Sequence, residues 1–289
     1  MKLGFYIDFI LKLENVSPLT EQERAGIDGF DAAVLILDDI KDQSKIRDGK
    51  PCYYIARGVD ETKKQARSLK AKAFEELDSI CAKRGAGFLA RLRARFMLVK
   101  LWKSTQQGQD IDNFLQTTEK VGEHLLNKYN LMIRLFTGRH IKGGFLLGYL
   151  ISGKNPVYGK KVAEIGEQIG AIRQIKDDLD DYEEKHHEPL GDLINHKKRL
   201  PEILFLLSSS GWEKNELELL LKNPLENAPR IKALVLNEKV GQRIESEIQN
   251  ISKNVEAGLT GLPDGHKVGL TNLLRDFLPL GQLNHSENE

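Results

Sequence analysis

The run Ala32-Ala33-Val34-Leu35-Ile36-Leu37-Asp38-Asp39-Ile40-Lys41-Asp42 decides how this chain is read. An apolar stretch leads into acids spaced i, i+1 and i+4. In a helix, Asp38 and Asp42 stand one turn apart on the same face and point at one spot. The apolar residues before them say that this face is not bulk water. A second copy, Gln174-Ile175-Lys176-Asp177-Asp178-Leu179-Asp180-Asp181, follows far downstream and again closes an apolar helical stretch. Two carboxylate pairs on two helices, facing each other across a bundle, form a cage of hard oxygen donors. Mg²⁺ suits such a cage, because it takes a few carboxylates, keeps waters and is completed by phosphate oxygens.

A lone DDxxD is most often a solvated helix end. Here it occurs twice, and basic residues follow each copy: Lys45-Ile46-Arg47-Asp48-Gly49-Lys50-Pro51 after the first, and Gly191-Asp192-Leu193-Ile194-Asn195-His196-Lys197-Lys198-Arg199-Leu200-Pro201 after the second. Repetition with that basic escort argues for a diphosphate ligand.

Composition narrows the classes. The chain has 289 residues, and 43 Lys and Arg against 42 Asp and Glu leave a formal charge of +1, which carries no nucleic-acid footprint and no polybasic membrane patch. No Pro/Gly/Ser-rich linker divides it, so one domain with a large core is expected. Cys52 and Cys81 have neither CxxC nor disulfide-framework spacing, which fits a reducing compartment. Residues 1–13 faintly resemble a signal sequence, but Asp8 and Lys12 interrupt the apolar run and an amphipathic helix is the better reading. No uninterrupted apolar run reaches the length of a membrane span, and the expectation is a soluble cytoplasmic protein.

Along the chain, Thr20-Glu21-Gln22-Glu23 has capping-box spacing and starts the helix that carries the first acids. Lys45 to Val59 reads as a loop whose Arg47 and Lys50 fold over an anion. Asp60 is expected to cap a helix to about Lys83, and Phe88 to Thr105 reads as another. Gly108-Gln109-Asp110-Ile111-Asp112 reads as a break, followed by a helix from Asn113 to Phe136 and one from Phe145 to Ile151. Pro156 begins the helix of the second acids. Later helices fall near 202–209, 212–222, 228–258 and 266–278, with Pro229 in the first turn of the third. No strand-like alternation is visible.

These motifs closely resemble the trans-prenyl diphosphate synthase (polyprenyl synthetase) family, specifically from about residue 27 to residue 201 and weakly in the C-terminal third. The resemblance implies an all-α, single-domain helical bundle of isoprenoid-synthase type over residues 1–289, with a central active-site cavity and a loose tail at 285–289. It implies that the protein is Mg²⁺-dependent and ionises an allylic prenyl diphosphate, and that it forms a homodimer. Asp38 and Asp42 would hold two Mg²⁺ ions and Asp177 a third, with Asp39, Asp178 and Asp181 in support. Arg47 occupies the place of the first arginine of the family's arginine pair, on the allylic diphosphate. Lys197 matches the lysine of GKxTLP, Gln174 the glutamine of FQxxDD, and Thr137 the threonine of the KT pair. Ala33 and Val34 stand where the family has its pocket floor; both are small enough to admit a chain of about four isoprene units. Phe30, Trp102, Phe136, Phe145 and Tyr149 offer π faces for a carbocation, though core packing is the default for such rings.

Several positions depart from the family pattern. The site for isopentenyl diphosphate is built in the family from a GKR triplet, a histidine seven residues before the first aspartate, and the second arginine of the pair. Here the chain begins just after the GKR position, the histidine position is Asp31 and the second arginine is Asp48. Each acid in place of an anion-attracting group costs on the order of a few kcal/mol in diphosphate binding. On the allylic side, Phe136 replaces the lysine of KT, Arg173 the phenylalanine of FQxxDD, and Arg199 the threonine of GKxTLP. This asymmetry favours a terpene synthase or cyclase, which ionises one prenyl diphosphate without adding another unit. Chain elongation by a prenyltransferase with a remodelled acceptor site is the alternative, and a non-catalytic partner subunit a third. A ferritin-type di-metal site fits worst, because Glu183-x-x-His186 and Glu184-x-x-His187 overlap in one window before Pro189 and no second pair faces them.

Overall fold

A computed structural model of the chain describes residues 2–278 apart from 48, 119, 155–156 and 183–189. The expectations for Asp48, Pro156, the Glu183–His187 window, Pro189 and the tail at 285–289 therefore lie outside the described residues. Among the described residues the chain is all-α, and its sheet consists of two two-residue strands. Its contacts divide it into two compact units, Met1–Gln106 with Arg139–Gly166, and Gln107–Gly138 with Glu167–Glu289. Each unit is assembled from two separated stretches of chain.

In the first unit, α1 (Leu3–Leu13) buries Leu3, Tyr6, Ile7, Ile10 and Leu11. It lies against α7 (Arg139–Ile151), where glycines allow the helices to touch: a Cβ on Gly144 would fall 2.5 Å from Tyr6 Cβ, and one on Gly148 2.6 Å from Ile10 Cβ. α2 (Glu21–Lys41) starts in the expected capping box, with Thr20 accepting from the Glu23 N–H at 3.2 Å and Glu23 from the Thr20 N–H at 3.0 Å. The stretch read as a loop contains a small antiparallel ribbon, β1 (Ile46–Arg47) with β2 (Lys50–Pro51), turning through Gly49 at φ +72°, and then α3 (Tyr53–Arg57). α4 (Val59–Lys83) is capped by Gly58 at φ +83°, not by Asp60, which lies in its first turn with Glu61 and favours the positive end of the helix.

The break expected at Gly108–Asp112 does not exist. α5 runs unbroken from Phe88 to Thr117. An interior glycine costs a helix about 1 kcal/mol, but Gly108 makes room for Phe136: a Cβ there would lie 3.2 Å from Phe136 Cβ. α5 ends at Thr117 and α6 (Glu123–Ile133) begins at Glu123, so the helix expected over Asn113–Phe136 is two pieces. A π-helical turn, Arg134–Gly138, joins α6 to α7.

The second unit packs α6 and the later part of α8 (Gly159–Asp180) with α10 (Leu200–Ser208), α11 (Gly211–Leu220), α12 (Ala228–Val235) and α13 (Glu238–Leu259) around Tyr129, Ile203, Phe205, Ile231 and Ile248. α9 (Gly191–Ile194) is a single turn, and α14 (Asp264–Phe277) ends the described chain. The one helix expected over 228–258 is divided by Asn237, whose side chain accepts from the Val240 N–H at 3.2 Å and so begins α13.

Candidate active site

The first acid cluster closes α2. Asp38 and Asp42 lie one turn apart, and the Asp42 N–H donates to the Asp38 carbonyl at 2.8 Å. Asp39 turns inward and is 2% exposed. Arg47, presented by β1, donates to Asp39 Oδ1 from both Nε and Nη2 at 2.7 Å, and its Nη2 stands 3.9 Å from Asp38 Oδ2. Burial works against the guanidinium charge, but Asp39 and then Asp38 outweigh it and raise the Arg47 pKa. The Cys52 thiol also faces Asp39, and burial followed by that carboxylate pushes the thiol up. In this arrangement Arg47 is held by the acid motif itself.

Ala33 and Val34, just before these acids, are both buried. One turn further back Phe30 meets Trp102 edge-on at 5.6 Å, and Lys70 Nζ lies 4.1 Å from the Trp102 ring centre. The small pair is thus backed by an aromatic layer. Phe145 packs in the core between Tyr6 and Phe9, at 6.3 and 5.2 Å.

Asp31, read as a negative charge in an acceptor site, has other work. Its Oδ2 accepts from the Leu3 N–H at 2.7 Å, its Oδ1 lies 3.2 Å from His140 Nε2, and Asp28 Oδ1 accepts from the Gly4 N–H at 2.9 Å. Two acids from α2 satisfy the open N–H groups at the start of α1, where a helix favours negative charge. Burial, opposed by the Gly4 N–H and aided by Asp31, raises the Asp28 pKa. Asp31 therefore already has partners of its own within the helix pair.

The second cluster closes α8 and is differently supported. Asp177 is half-exposed, with Arg173 Nε 3.7 Å from its Oδ2; burial raises its pKa and Arg173 opposes the rise. Asp178 is buried. It accepts from Tyr129 Oη at 2.6 Å, Gln174 Nε2 at 2.9 Å and the Leu200 N–H at 3.4 Å. Burial lifts it to about 6 against the pull of Arg199 and those donors. Thr137 Oγ1, in the π-helical turn, donates to Gln174 Oε1 at 2.5 Å, so Thr137, Gln174 and Asp178 form one relay. Asp181 Oδ2 accepts from the Asp192 N–H at 3.2 Å and thereby ties α8 to α9.

The basic run after this motif is built around Arg199. Its Nε donates to Asp192 Oδ2 at 2.8 Å, Nη1 pairs closely with Asp112 Oδ1, and Nη2 reaches Asp112 Oδ2 at 3.4 Å. Burial opposes that charge, but Asp192 and Asp112 raise its pKa further. Lys197 Nζ lies 3.7 Å from Asp192 Oδ1, and Lys198 donates to the Leu115 and Gln116 carbonyls. Among the described residues no three His, Cys, Asp or Glu side chains gather into a ready-made metal cage. What each cluster offers is hard carboxylate oxygen, the donor that Mg²⁺ takes together with phosphate.

Sequence reasoning did not find Tyr129, Asp112 and Asp192 as supports of the site. Tyr129 is indistinguishable from the apolar periodicity of α6. Asp112 stands out in sequence only as the end of the expected break at Gly108–Asp112. The one sequence signal is Arg199 itself, an arginine at the threonine of GKxTLP, whose buried charge requires acids nearby.

Comparison with known proteins agrees with this architecture. The polyprenyl synthetase family model matches residues 14–237. A short chain isoprenyl diphosphate synthase of Methanocaldococcus jannaschii is 24% identical over 219 residues, 74% of this chain and 64% of that protein. A geranylfarnesyl diphosphate synthase of Aeropyrum pernix is 30% identical over 146 residues, 50% of this chain and 44% of that protein. The chain thus spans less than two thirds of the length of these curated relatives. The crystal structure of a polyprenyl synthetase from Streptomyces coelicolor A3(2) superposes with a TM-score of 0.79 at 18% identity, covering 96% of this chain and 84% of that one, which establishes the fold. With the family match extending over most of its length, the chain belongs to the polyprenyl synthetase family.

Proposed function

We propose that this protein is a Mg²⁺-dependent prenyl diphosphate synthase that extends an allylic prenyl diphosphate with isopentenyl diphosphate. The observation that carries the reading is the repeated acid motif, each copy closing a helix, inside the polyprenyl synthetase match. The relatives reported above are named as diphosphate synthases, and none of those names describes a cyclase. The sequence reading put a terpene synthase first, largely because Asp31 and Asp48 carry charge of the wrong sign for an acceptor. Asp31 counts for less, since it is engaged by the start of α1 and by His140; Asp48 lies outside the described residues. Elongation is accordingly the better reading, with an acceptor site built differently from the family pattern.

In this reading Asp38, Asp42, Asp177 and Asp181 are the carboxylates that receive Mg²⁺ with the substrate's diphosphate. Bound metal neutralises the charge growing on the departing pyrophosphate. Arg47 and Lys197 hold diphosphate oxygens, exchanging the carboxylates they now face for the ligand. Asp39 and Asp178, buried and donor-satisfied, fix the ends of their helices, and Thr137 and Gln174 hold Asp178 in register. Ala33 and Val34 admit a chain of about four isoprene units before the Phe30–Trp102 layer. One catalytic domain spans the described chain. No helix among the described residues is long and apolar enough to cross a membrane, and a cytoplasmic enzyme is the proposal.

A homodimer belongs to the same reading. Phe88, Leu89, Leu92, Phe96 and Val99 are exposed, and the spacing 88, 92, 96, 99 puts them along one face of α5. Covering roughly 500 Å² per copy in a two-fold contact reaches about 1,000 Å² in total, the threshold for a specific interface.

The test is incubation with Mg²⁺ and prenyl diphosphates of increasing length, with and without labelled isopentenyl diphosphate. Label entering a longer prenyl diphosphate is the expected result. Pyrophosphate and a hydrocarbon or alcohol formed without isopentenyl diphosphate would restore the cyclase, and no turnover of any substrate would leave the partner subunit.

A further inference from the structure

The π-helical turn and α8 approach each other unusually closely. A Cβ on Gly170 would fall 2.7 Å from Gly138 Cα and 2.9 Å from the Thr137 carbonyl oxygen, and the Thr137–Gln174 hydrogen bond ties the segments one turn further along. Thr137 and Gln174 are thereby set side by side on abutting segments, and Phe136 and Arg173 precede them in sequence. In the motifs that this chain resembles, the dipeptides are Lys-Thr and Phe-Gln. Here they are Phe136-Thr137 and Arg173-Gln174. The hydrogen-bonded threonine and glutamine are kept, while cation and ring have changed places.

Each exchanged side chain has a defined setting. Phe136 lies on Gly108, where a side chain would stand 3.2 Å from its Cβ and 3.4 Å from its Cδ2. Arg173 lies over the Phe277 ring at 5.7 Å and reaches Asp177, 3.7 Å away, on the half-exposed side of the acid motif. A guanidinium next to a carboxylate that receives a metal–diphosphate is well suited to transfer to the incoming phosphate oxygens, which it can grip through two N–H groups.

We propose that Arg173 is the diphosphate-binding cation of the second acid cluster, delivering from α8 the positive charge that Phe136 does not deliver from the π-helical turn. This rests on the reading that a prenyl diphosphate binds at Asp177. It predicts that the two positions form a unit in which one cation and one ring are needed, in either order.

The test compares wild type, Arg173→Phe, Arg173→Met, Phe136→Lys and the exchange variant Arg173→Phe/Phe136→Lys, all shown folded by circular dichroism melting. Affinity for pyrophosphate with Mg²⁺ is measured by calorimetry, and KM for the allylic diphosphate alongside it. Arg173→Phe and Arg173→Met should each weaken pyrophosphate binding and raise KM about 10- to 100-fold, the effect of losing a charge-assisted pair. The exchange variant should recover most of both. Wild-type binding kept in both single Arg173 variants, or an exchange variant no better than Arg173→Phe, overturns the assignment and leaves the prenyl diphosphate reading standing. A wild-type protein that binds neither pyrophosphate nor an allylic diphosphate overturns both.

Discussion

At the end of α2, Asp39 is held by a guanidinium; at the end of α8, Asp178 is held by a phenol, an amide and a backbone N–H. The two acids occupy the same place in the same motif, and both are buried. Their supports differ in charge. Arg47 is partly exposed, and under the proposed function it exchanges Asp39 for the substrate's diphosphate. Tyr129 and Gln174 are neutral, and they leave the second cluster's carboxylate with a desolvation cost, visible in a pKa of about 6. Under the proposed function, the cations for a diphosphate at this end are Arg173, which rests on Asp177 in its own helix, and Lys197, which rests on Asp192. A single sequence pattern has been fitted into two electrostatic settings, one whose buried acid accepts from a guanidinium and one whose buried acid accepts from neutral donors.

The comparison breaks most easily at the first acid of each motif, Asp38 and Asp177, neither fully buried, which should behave alike in both clusters. Asp38→Ala and Asp177→Ala should each lower turnover about 10²- to 10³-fold or more, the scale of removing one group that stabilises transition-state charge. Both variants should melt close to wild type, as neither acid anchors the core. Steady-state kinetics alongside thermal melting checks this. Activity retained in either variant would separate that cluster from the chemistry.

The buried supports should behave differently. Arg199→Met leaves Asp112 and Asp192 facing each other without their cation, and breaking a buried pair in this way costs about 3–5 kcal/mol. Arg47→Met should cost less, because a guanidinium that is 38% exposed shares its site with water. Urea unfolding of the two variants orders them, and equal losses would erase the contrast between the scaffolds.

The fold was readable in outline because helix starts and apolar faces are local signals. The Thr20 capping box and Pro229 at the head of α12 appear where expected. Gly108 misled, because a glycine that admits a neighbouring ring looks the same in sequence as one that ends a helix. The spacing of the two carboxylate clusters placed each at the end of a helix, and there they lie. Their partners were not legible: Arg199 meets Asp112 across 87 positions and Tyr129 meets Asp178 across 49, and no periodicity links residues so far apart. Asp31 shows the converse error. Its charge was read from a motif position, but its role follows from the N–H groups of α1 that it caps.

Tyr129→Phe sharpens the second half of the comparison. It removes one donor from a buried carboxylate and changes little else, since the ring stays in place. Loss of a hydrogen bond to a charged group corresponds to about 2 kcal/mol, read as a lower urea midpoint with an unchanged slope. A variant as stable as wild type would mean that Gln174 and the Leu200 N–H alone hold Asp178.

The last test concerns Glu202, in the first turn of α10 beside this cluster. Its Oε1 accepts from Tyr182 Oη and its Oε2 from the Arg199 N–H at 3.0 Å. Burial nevertheless lifts it to about 8 from an ordinary 4.5. As pH rises through that window, the unfolded chain has already lost this proton while the folded chain keeps it. The native state binds more protons, so stability falls with rising pH, by at most about 1.4 kcal/mol per unit, and the loss levels off above 8. Glu202→Gln cannot titrate. With one carbonyl oxygen for two donors it should lose about 1–3 kcal/mol at every pH, yet its stability should not carry this slope. Urea midpoints at pH 5 and pH 8.5 would then show the variant clearly weaker at the lower value and the gap closed or reversed at the higher. Parallel behaviour at both would mean that Glu202 is ionised in the folded protein at pH 5, and that Arg199 offsets its burial as well as that of Asp192 and Asp112.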